Sequence, residues 1–412
     1  MTYEGKTKFL VLAAFCLLFF MLNAFTFNGL GVILPYMVEE LGWNWTVAGL
    51  GFTFLGLSCG LSGLAPALLI RRFGVPRSML GGGAVLLTGF TCLALTNGPL
   101  LYFTGTIFIG IGFSICGAVP GVSVISHSFK RSSTAVGIYY TSGGLGAVAG
   151  PLVAYASQAL TSDWRAYWVC AALTAVVLSL FAALVTGNRM VPDTSTETEK
   201  REALKHGWSV RAAMRTPQYY VVVGAYTAFL LINTTVHGFA VQHLSEHGLS
   251  MGTAATVMSL IALISAGGST AAGVAGEKIG PRELTIISLS ATVIGVLALV
   301  IGGNMIAVSI AVIGLGIGFG FSYVSTTMLL LDFFGKRPNL ELFSTMHMIS
   351  TAAAIGPALG GMARDQLGNF SLVFVFCGAL GFIFLAAMVW LQKPVLKKDA
   401  DTTEECEPVL AA

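Results

Sequence analysis

Charged residues are scarce in this chain of 412 residues. Lysine, arginine, aspartate and glutamate make up 10% of it, whereas hydrophobic residues make up 55% and the mean hydropathy is +0.81. The charges that do occur lie in loops or within a turn or two of the end of an apolar run. A soluble protein does not bury this much apolar surface, so the composition indicates a membrane protein.

The sequence also lacks the marks of several function classes. A net charge of +3 provides no basic surface for a nucleic acid. The seven cysteines are scattered and have no metal-ligand spacing, so neither a metal site nor a disulfide is expected. There is no phosphate-binding Walker loop and no cluster of catalytic residues, so ATP-driven transport and an enzyme are both unsupported. We expect no cofactor.

One segment does match a catalytic pattern. In "HLSEH", His243, Glu246 and His247 fit the H-x-x-E-H pattern of some zinc peptidases. No third ligand is apparent, and Glu246 corresponds, in the repeat described below, to Glu40, which has no histidine beside it. We therefore interpret the segment as the end of a membrane helix and expect no metal.

Long apolar runs are abundant. About 20 residues at 1.5 Å each cross the hydrocarbon core of a bilayer. Fifty glycines are typical of closely packed membrane helices. The first run begins after Lys8 as a secretory signal would, but it continues to Met37 without a convincing cleavage site and is interpreted as a retained span. The pattern predicts twelve spans, numbered in order: 9–37, 47–70, 78–96, 100–127, 133–158, 165–187, 219–245, 251–275, 284–303, 305–331, 341–363 and 370–391.

One long polar stretch divides these spans six and six. We predict an N-terminal six-helix bundle (1–187), a cytoplasmic linker (188–217), a C-terminal six-helix bundle (218–392) and a cytoplasmic tail (393–412). With both termini in the cytoplasm, all Lys and Arg residues except Arg165 and Arg364 fall in cytoplasmic segments. The positive-inside rule therefore predicts this orientation, in an inner or plasma membrane.

The two halves repeat at an offset of 206 residues. A shared register across several landmarks indicates a duplicated six-helix unit, and repeats related by an axis along the membrane normal are a transporter architecture. The landmarks are Arg71-Arg72-Phe73-Gly74 with Glu277-Lys278-Ile279-Gly280, "GIGF" at 110–113 with "GIGF" at 316–319, Lys130-Arg131 with Lys336-Arg337, Gly150-Pro151 with Gly356-Pro357, and Glu40 and Gly42 with Glu246 and Gly248.

The turn after span 8 resembles a motif of the major facilitator superfamily. In that family the turn after span 2 or span 8 reads roughly G-x-x-x-D-R-x-G-x-R/K. Here Gly273, Glu277, Lys278, Gly280 and Arg282 match it, with Glu in place of Asp. The resemblance covers nearly the whole chain. It implies an all-α membrane protein whose twelve transmembrane helices form two six-helix bundles related by a pseudo-twofold repeat.

Elementary physical chemistry suggests a role for these turns. Gly74 and Gly280 permit a tight reversal that a side chain would obstruct. Charged side chains near the helix ends can hydrogen-bond across the bundle interface and hold one conformation of a rocking transporter; we call this predicted contact the loop latch. The N-half copy departs from the motif, because Arg71, followed by Arg72, stands where the acid is expected. The simpler alternative is that the charges only mark the membrane boundary.

Three segments are similar to the bacterial monocarboxylate and oxalate–formate porters: "GLGVILPYMVEELGW" in span 1, "HSFKRSSTAVGIYYTSGGLG" entering span 5 and "RTPQYYVVVGAYTAFLL" entering span 7. Oxalate–formate porters carry an arginine in span 8 and a lysine in span 11, where this chain has Ser269 and, nearby, Ile349. The Asp–Arg pair of animal-type monocarboxylate porters in span 8 is also absent. A dianion such as oxalate is disfavoured, because two charges in a low-dielectric cavity without a fixed cation are costly.

The resemblance places the substrate near the midplane between the halves, with spans 1, 4, 7 and 10 lining the cavity. Polar groups that face lipid are costly, so polar side chains in the spans should face the cavity or the interior. For each serine, the alternative is a hydrogen bond to its own helix. Tyr139 and Tyr140 lie about 100° apart on a helix, so at most one points straight into the pathway. The predicted substrate-binding residues are Asn23, Asn28, Ser114, Tyr139, Tyr140, Asn233, His237, Ser269, Tyr323 and His347.

Two histidines, His237 and His347, fall within spans. Histidine titrates near neutral pH and can carry a coupled proton. His347 is favoured because it lies in the inner half of span 11, where a cavity open to the cytoplasm would be wet. The alternative is a neutral histidine bonded to a neighbouring helix.

These observations predict a monomeric secondary transporter that moves a small organic solute across a lipid bilayer by alternating access. Proton-coupled symport of a monocarboxylate is the leading hypothesis. The alternatives are transport of a neutral or other small polar solute by uniport, symport or antiport, and a membrane-embedded sensor.

Overall fold

The computed structural model describes residues 7–129, 132–187, 208–335 and 339–395, and these ranges are helical apart from short turns, with no strand among them. Most of the predicted linker (188–207), the tail from residue 396, and the pairs at 130–131 and 336–337 lie outside the described residues. The side chain of Glu277 also lies outside them.

Eight predicted spans are single helices in the described ranges, and the short helix Val210–Met214 precedes span 7. In chain order the single helices are Val75–Ala94 (span 3), Ser132–Thr161 (span 5), Trp164–Thr186 (span 6), Pro217–Glu246 (span 7), Met251–Ile279 (span 8), Pro281–Ile301 (span 9), Met305–Phe334 (span 10) and Ser371–Trp390 (span 12).

Four spans are interrupted. Proline explains two of the starts, since Pro66 and Pro357 stand in the first turn of the helices that follow a break, where their missing N–H costs nothing. The segments are Thr7–Phe25 and Phe27–Leu41 (span 1), Trp45–Leu61 and Ala65–Phe73 (span 2), Pro99–Cys116 and Ala118–Ser128 (span 4), and Asn339–Ser350, the 3-10 turn Thr351–Ile355 and Gly356–Leu367 (span 11).

Ten helical stretches in the described ranges are long and apolar enough to cross a membrane, and the two segments of span 2, bent by 51°, make an eleventh. Span 5, a helix of 30 residues, is the remaining one of the twelve predicted spans. Its many glycine, serine, threonine and tyrosine residues lower its hydropathy. It nevertheless packs between span 1 and span 8, so it belongs to the bundle by its place.

The sequence repeat recurs in the packing. Span 1 contacts spans 5 and 6, span 2 contacts span 4, and span 3 contacts spans 4 and 6; spans 7 to 12 pair in the same way. A Cβ added to Gly89 would lie 2.8 Å from the backbone nitrogen of Ile109, and one added to Gly295 would lie 2.5 Å from that of Leu315. Both pairs keep the offset of 206 residues, so the two bundles are built alike down to single close contacts.

The repeated glycines also share a backbone conformation. Gly74 and Gly280 have φ of +80° and +95°, and Gly42 and Gly248 have φ of +62° and +92°. This region strongly favours glycine, as the steric argument for tight reversals requires.

Both ends of the described chain lie on one side of the bundle. Phe9 contacts Phe129 at the end of span 4, with ring centroids 5.9 Å apart. Lys393 pairs with Asp332 at the end of span 10, with 2.9 Å between Nζ and Oδ1. We call this the terminus side, and the opposite side the far side.

On the far side the two halves touch directly, through spans 1 and 7, spans 2 and 11, and spans 5 and 8. Glycine makes this approach possible. A Cβ on Gly31 would overlap the carbonyl oxygen of His237, and a Cβ on Gly49 would overlap that of Pro357. Small residues allow backbones to meet at this distance in membrane helices.

On the terminus side the same spans separate. In span 5, Gly144 contacts Ala266 of span 8, at 3.1 Å from an added Cβ to the alanine Cβ. Gly137 and Gly273 lie one heptad nearer the terminus side on the same two helix faces, and an added Cβ at either meets nothing within 4 Å. The two halves are therefore closed together on the far side and open on the terminus side.

Candidate functional site

An aromatic cluster surrounds His347 in the C-terminal half. The imidazole of His347, from span 11, lies 4.4 Å from the ring of Phe343, 5.1 Å from that of Tyr226 and 6.1 Å from that of Tyr323, between centroids. Three different spans supply these rings. The sequence analysis had found Tyr323 and His347 but not Tyr226 or Phe343, because an aromatic residue in an apolar run has no distinguishing local signal.

The imidazole of His347 makes no hydrogen bond within the described residues. Neither ring nitrogen has a hydrogen-bond partner among the described residues, and the side chain is only partly buried. Its backbone carbonyl accepts a hydrogen bond from Thr351 Oγ1 at 3.0 Å, where span 11 changes to a 3-10 turn. The imidazole is therefore held in position by ring contacts alone, with both nitrogens available to water or a solute.

The N-terminal half contributes an exposed tyrosine. Tyr140, in span 5, is 45% exposed, and Tyr323, in span 10, is 43% exposed. Neither hydroxyl has a partner in the described part of the chain. Each half thus carries one exposed phenol group without a hydrogen-bond partner in the described ranges.

Tyr139 does not reach the opening on the terminus side. It is fully buried, stacks on Phe19 with centroids 4.5 Å apart, and donates its hydroxyl to the carbonyl of Gly117 at 2.9 Å. That carbonyl is at the break in span 4. The structure thus separates the two adjacent tyrosines, as their 100° helical offset required, and places Tyr139 inside the bundle instead of at the predicted binding site.

His237 lies deeper than His347, beside the far-side contact. Its Nδ1–H donates to the carbonyl of Asn233 at 2.8 Å, and its ring stacks on Phe319 with centroids 6.0 Å apart. Because a carbonyl only accepts, this bond places the proton of the neutral imidazole on Nδ1 and leaves Nε2 as an acceptor. His237 is thus bonded to its own helix.

Three asparagines combine backbone bonds with unused polar atoms. Asn23 donates its amide nitrogen to the carbonyl of Phe19, and Asn28 donates to the carbonyl of Asn23, both at 2.8 Å. The second bond occupies a carbonyl exposed by the break in span 1. The amide oxygens of Asn23 and Asn28 have no partner in the described ranges, nor has either amide atom of Asn233. All three side chains are partly buried.

The two predicted serines are bonded within their own halves. Ser114 Oγ donates to the carbonyl of Ser62 at 3.1 Å, and Ser269 Oγ lies 3.1 Å from the carbonyl of Ser265 and 3.0 Å from that of Gly320. These carbonyls belong to spans 2, 8 and 10. Ser269 thus makes the bond to its own helix that the sequence analysis left open as an alternative, and both serines also join two helices.

Two predicted loop-latch residues, Arg72 and Arg282, contact groups of their own halves in this open arrangement. The guanidinium of Arg282 donates to the carbonyls of Met388 and Val389, at the end of span 12. Arg72 lies over the ring of Phe73, 5.3 Å from its centroid, and Lys278 is exposed. A role in closing the terminus side remains a prediction, since that side is open here.

The far side carries two ion pairs at repeat-related glutamates. Glu40 pairs with Arg165 and accepts a hydrogen bond from Trp164 Nε1 at 2.7 Å. Glu246 pairs with Arg364 at 3.0 Å. The two arginines predicted to lie outside the cytoplasm are thus each neutralised by a glutamate from the same half.

These bonds also account for the "HLSEH" segment. His243 Nε2 donates to the carbonyl of Leu299 at 3.0 Å, and His247 Nδ1 donates to that of His243 at 2.8 Å, while Glu246 faces Arg364. In the parts of the chain that the structure describes, no three His, Cys, Asp or Glu residues are grouped as a metal would require.

The fold and the open cavity define a two-bundle membrane carrier, and comparison with known proteins agrees. The model of the Major Facilitator Superfamily matches residues 16–342, so the chain belongs to this family. Monocarboxylate transporter 11 of Mus musculus is 24% identical, over 86% of this chain and 88% of that protein. The aspyridones efflux protein of Emericella nidulans is also 24% identical, over 86% of this chain and 71% of that protein.

A solved structure shows the same fold. The nucleoside transporter NupG superposes with a TM-score of 0.76 over 94% of this chain and 99% of that chain, at 12% identity. Family and relatives are transporters, so this chain is a multi-pass membrane transporter and not an enzyme.

Proposed function

We propose that the chain is a secondary active transporter that carries a small monocarboxylate together with a proton by alternating access. The observation that carries this proposal is the placement of His347. Its imidazole lies at the opening between the halves, with both nitrogens unpartnered among the described residues and with three aromatic rings around it. The similarity to a protein named monocarboxylate transporter 11 supports the same substrate class.

Charge balance favours a proton-coupled acid. No Lys, Arg, Asp or Glu stands in the middle of any span, so nothing in the pathway offsets a permanent anion. An anion brought alone into a low-dielectric cavity would pay a large desolvation cost. A carboxylate that enters with a proton forms an electroneutral pair, and an imidazolium at His347 supplies the cation only while it is needed.

His347 is a better proton carrier than His237. The imidazole of His237 is stacked on Phe319 and donates to a carbonyl of its own helix, and its backbone lies against Gly31 in the closed contact. Protonation of His237 would add a hydrogen to Nε2, close to the contact between the halves on the far side. His347 is only partly buried and its ring nitrogens have no partner among the described residues, so it can take up a proton from water or from a solute.

Neutral polar groups would orient the solute. Tyr140 and Tyr323 can donate hydrogen bonds from their hydroxyls, one in each half. The amide oxygen and the amide nitrogen of Asn233 are both available. Asn23 and Asn28 present amide oxygens, which accept from a protonated acid. Tyr140 takes the part that the sequence alone had assigned equally to Tyr139.

The orientation follows from the distribution of Lys and Arg. Among the described residues, all Lys and Arg except Arg165 and Arg364 lie on the terminus side, so the positive-inside rule predicts that this side is cytoplasmic, in an inner or plasma membrane. The open side then faces the cytoplasm. One chain holds both halves of the pathway, so a monomer suffices, with the predicted linker 188–217 joining bundles 1–187 and 218–392 ahead of the tail 393–412.

Uptake of radiolabelled lactate, pyruvate or formate into proteoliposomes tests the proposal. Uptake should rise as the external pH falls through the histidine range, with no net current, because the acid and proton move together. His347→Gln should remove the pH dependence and lower uptake at least about tenfold, the scale of one lost proton-transfer group. His237→Gln is the matched control and should retain the pH dependence.

If uptake does not change when a pH gradient is imposed, transport is not coupled to protons and this part of the proposal is wrong. Retained pH dependence in His347→Gln would remove the assignment of His347.

A neutral solute, such as an amide or a polyol, is the second candidate, favoured by the absence of a fixed cation. If the three acids neither compete with one another nor stabilise the purified protein at mildly acidic pH, this candidate replaces the monocarboxylate. A ligand-stabilisation screen against sugars, polyols and amides then identifies the class.

A further inference from the structure

One carboxylate crosses between the two halves on the far side. Asp365, near the end of span 11, accepts hydrogen bonds from the backbone N–H groups of Trp45 at 2.9 Å and Thr46 at 2.7 Å. The hydroxyl of Thr46 donates to the same carboxylate at 2.5 Å. Trp45 and Thr46 are the first two residues of span 2, so a residue of the C-terminal half satisfies the start of a helix in the N-terminal half.

The N-terminus of span 2 needs such a partner. The first N–H groups of a helix have no acceptor in the helix, and the helix dipole favours a negative charge beside them. Asn44 caps the third of these groups from within the half, by accepting from the N–H of Val47 at 2.9 Å. Asp365 takes the other two. The cap of span 2 is complete only while the halves are together.

Around this carboxylate, spans 2 and 11 are in close contact, so they cannot move apart and keep their hydrogen bonds. A Cβ on Gly361 would overlap the carbonyl oxygen of Trp45, one turn of helix before Asp365. Farther along, the N–H of Ala358 donates across the interface to Thr53 Oγ1 at 3.1 Å. Separation of spans 2 and 11 on the far side would break every one of these hydrogen bonds at once.

The repeat-related contact in the molecule lacks this carboxylate. The contact between spans 5 and 8 is the pseudo-symmetric counterpart of that between spans 11 and 2. At the offset of 206 residues, Ala159 stands where Asp365 would be expected. Span 8 begins instead with a cap from within its own half, Ser250 Oγ accepting from the N–H of Thr253 at 3.1 Å. Only one of the two related contacts has the charged cross-half cap.

We propose that Asp365, through its bonds to Trp45 and Thr46, holds the far side closed and sets the balance between the two access states. It is a positioning residue for transport: the contact must break each time the cavity opens to the far side. This inference requires only that the family member alternates access. It does not depend on the solute or on the proton.

The test measures far-side opening directly in the purified full-length chain. Spin labels at Leu160 and Met305, exposed far-side positions in opposite halves, report the separation by double electron–electron resonance, in a chain whose seven cysteines are replaced. Asp365→Ala should raise the ratio of the long-distance to the short-distance population about tenfold, the scale of a lost charged helix cap. Asp365→Asn, which keeps one acceptor oxygen, should give an intermediate ratio.

The chain provides a matched control. Asp163 is also a far-side aspartate at a helix start, but it accepts from the N–H of Arg165, at 2.8 Å, inside its own half. Asp163→Ala should lower stability slightly and leave the distance ratio unchanged. If Asp365→Ala and the parent chain give the same ratio, or if Asp163→Ala shifts it equally, the proposal is wrong.

A second variant approaches the contact from the other half. Thr46→Val removes one of the three bonds and leaves the carboxylate in place, so it should raise the ratio less than Asp365→Ala. Adding Thr46→Val to Asp365→Ala should change nothing further, because the hydroxyl has then lost its acceptor. Thr46→Val alone decides the question if Asp365→Ala fails to fold: an unchanged ratio overturns the proposal.

Discussion

The far side and the terminus side are built from the same pairs of spans, yet they differ in how closely those spans approach. Along spans 5 and 8, Gly144 touches Ala266, whereas Gly137 and Gly273 on the same faces touch nothing. The same two helices are thus in contact at one end and apart at the other. Closure is therefore a property of the tilt between the two bundles, and small residues at both ends permit either tilt.

The two sides also differ in charge. The far side has few charged residues, and its arginines, Arg165 and Arg364, are each paired within one half. Asp365 is its only described acidic group bonded across the halves. The terminus side carries the other described Lys and Arg residues, with Arg282 bonded inside its own half. The described cross-half hydrogen bonds, those of Asp365 and that between Ala358 and Thr53, lie on the far side, as a far-side-closed state requires.

The largest effect should come from adding bulk at the two interfaces. Gly49→Val should prevent far-side closure, because its side chain would overlap the carbonyl of Pro357. Gly273→Val should fit the present state but obstruct closure of the terminus side. Both should lower uptake about a hundredfold, with opposite shifts in the distance between labels at Leu160 and Met305.

Gly81→Val is the control for that pair, since it lies on the exposed surface of span 3 with nothing within 4 Å of an added Cβ. It should transport normally. Shifts in the same direction for Gly49→Val and Gly273→Val would show that the two sides do not alternate.

A smaller effect is expected at the terminus-side turn. The double variant Glu277→Gln, Gly280→Val should lower uptake several-fold while inserting normally, because valine is strained at a φ of +95° by about 1–2 kcal/mol and the loop latch loses its acid. Gly42→Val is the control, with a comparable strain at a φ of +62° on the far side. If the double variant inserts well and takes up solute as fast as the unsubstituted chain, the loop-latch prediction is wrong.

Substitution of the two adjacent tyrosines should affect different properties, stability at Tyr139 and transport at Tyr140. Tyr139→Phe removes the donor to the buried carbonyl of Gly117 and should cost about 1–2 kcal/mol of unfolding free energy, seen as a lower Tm. Tyr140→Phe loses no bond in the described structure, so Tm should hold while uptake falls. Equal losses of Tm in the two variants would contradict their assigned positions.

The smallest effect is expected at the far-side ion pairs. Glu246→Gln should change the unfolding free energy by less than about 1 kcal/mol, because the pair with Arg364 is partly exposed, and the change should shrink at high salt. It should not alter the far-side distance ratio, in contrast to Asp365→Ala. A large shift in that ratio would mean that Glu246, and not only Asp365, governs closure.

Much of the fold was accessible from the sequence. Eleven of the twelve predicted spans are stretches long and apolar enough to cross a membrane when the bent pair is taken as one, and the offset of 206 residues recurs in contacts such as those of Gly89 and Gly295. The candidate site was only partly accessible. His347 and Tyr323 were identified as polar groups in apolar runs, whereas Tyr226 and Phe343 were missed and Ser114 and Ser269 proved to be bonded between helices.

The sequence by itself indicated the membrane location, the order of the spans, the duplication and the absence of a charged residue in the middle of any span. These depend on hydropathy and spacing, which are read along the chain. Only the tertiary structure decided that Tyr140 faces the opening, that the far side is closed, and that Asp365 caps a helix 319 and 320 residues away. Those outcomes depend on the rotation and tilt of packed helices, which the contacts between spans set and which no local pattern records.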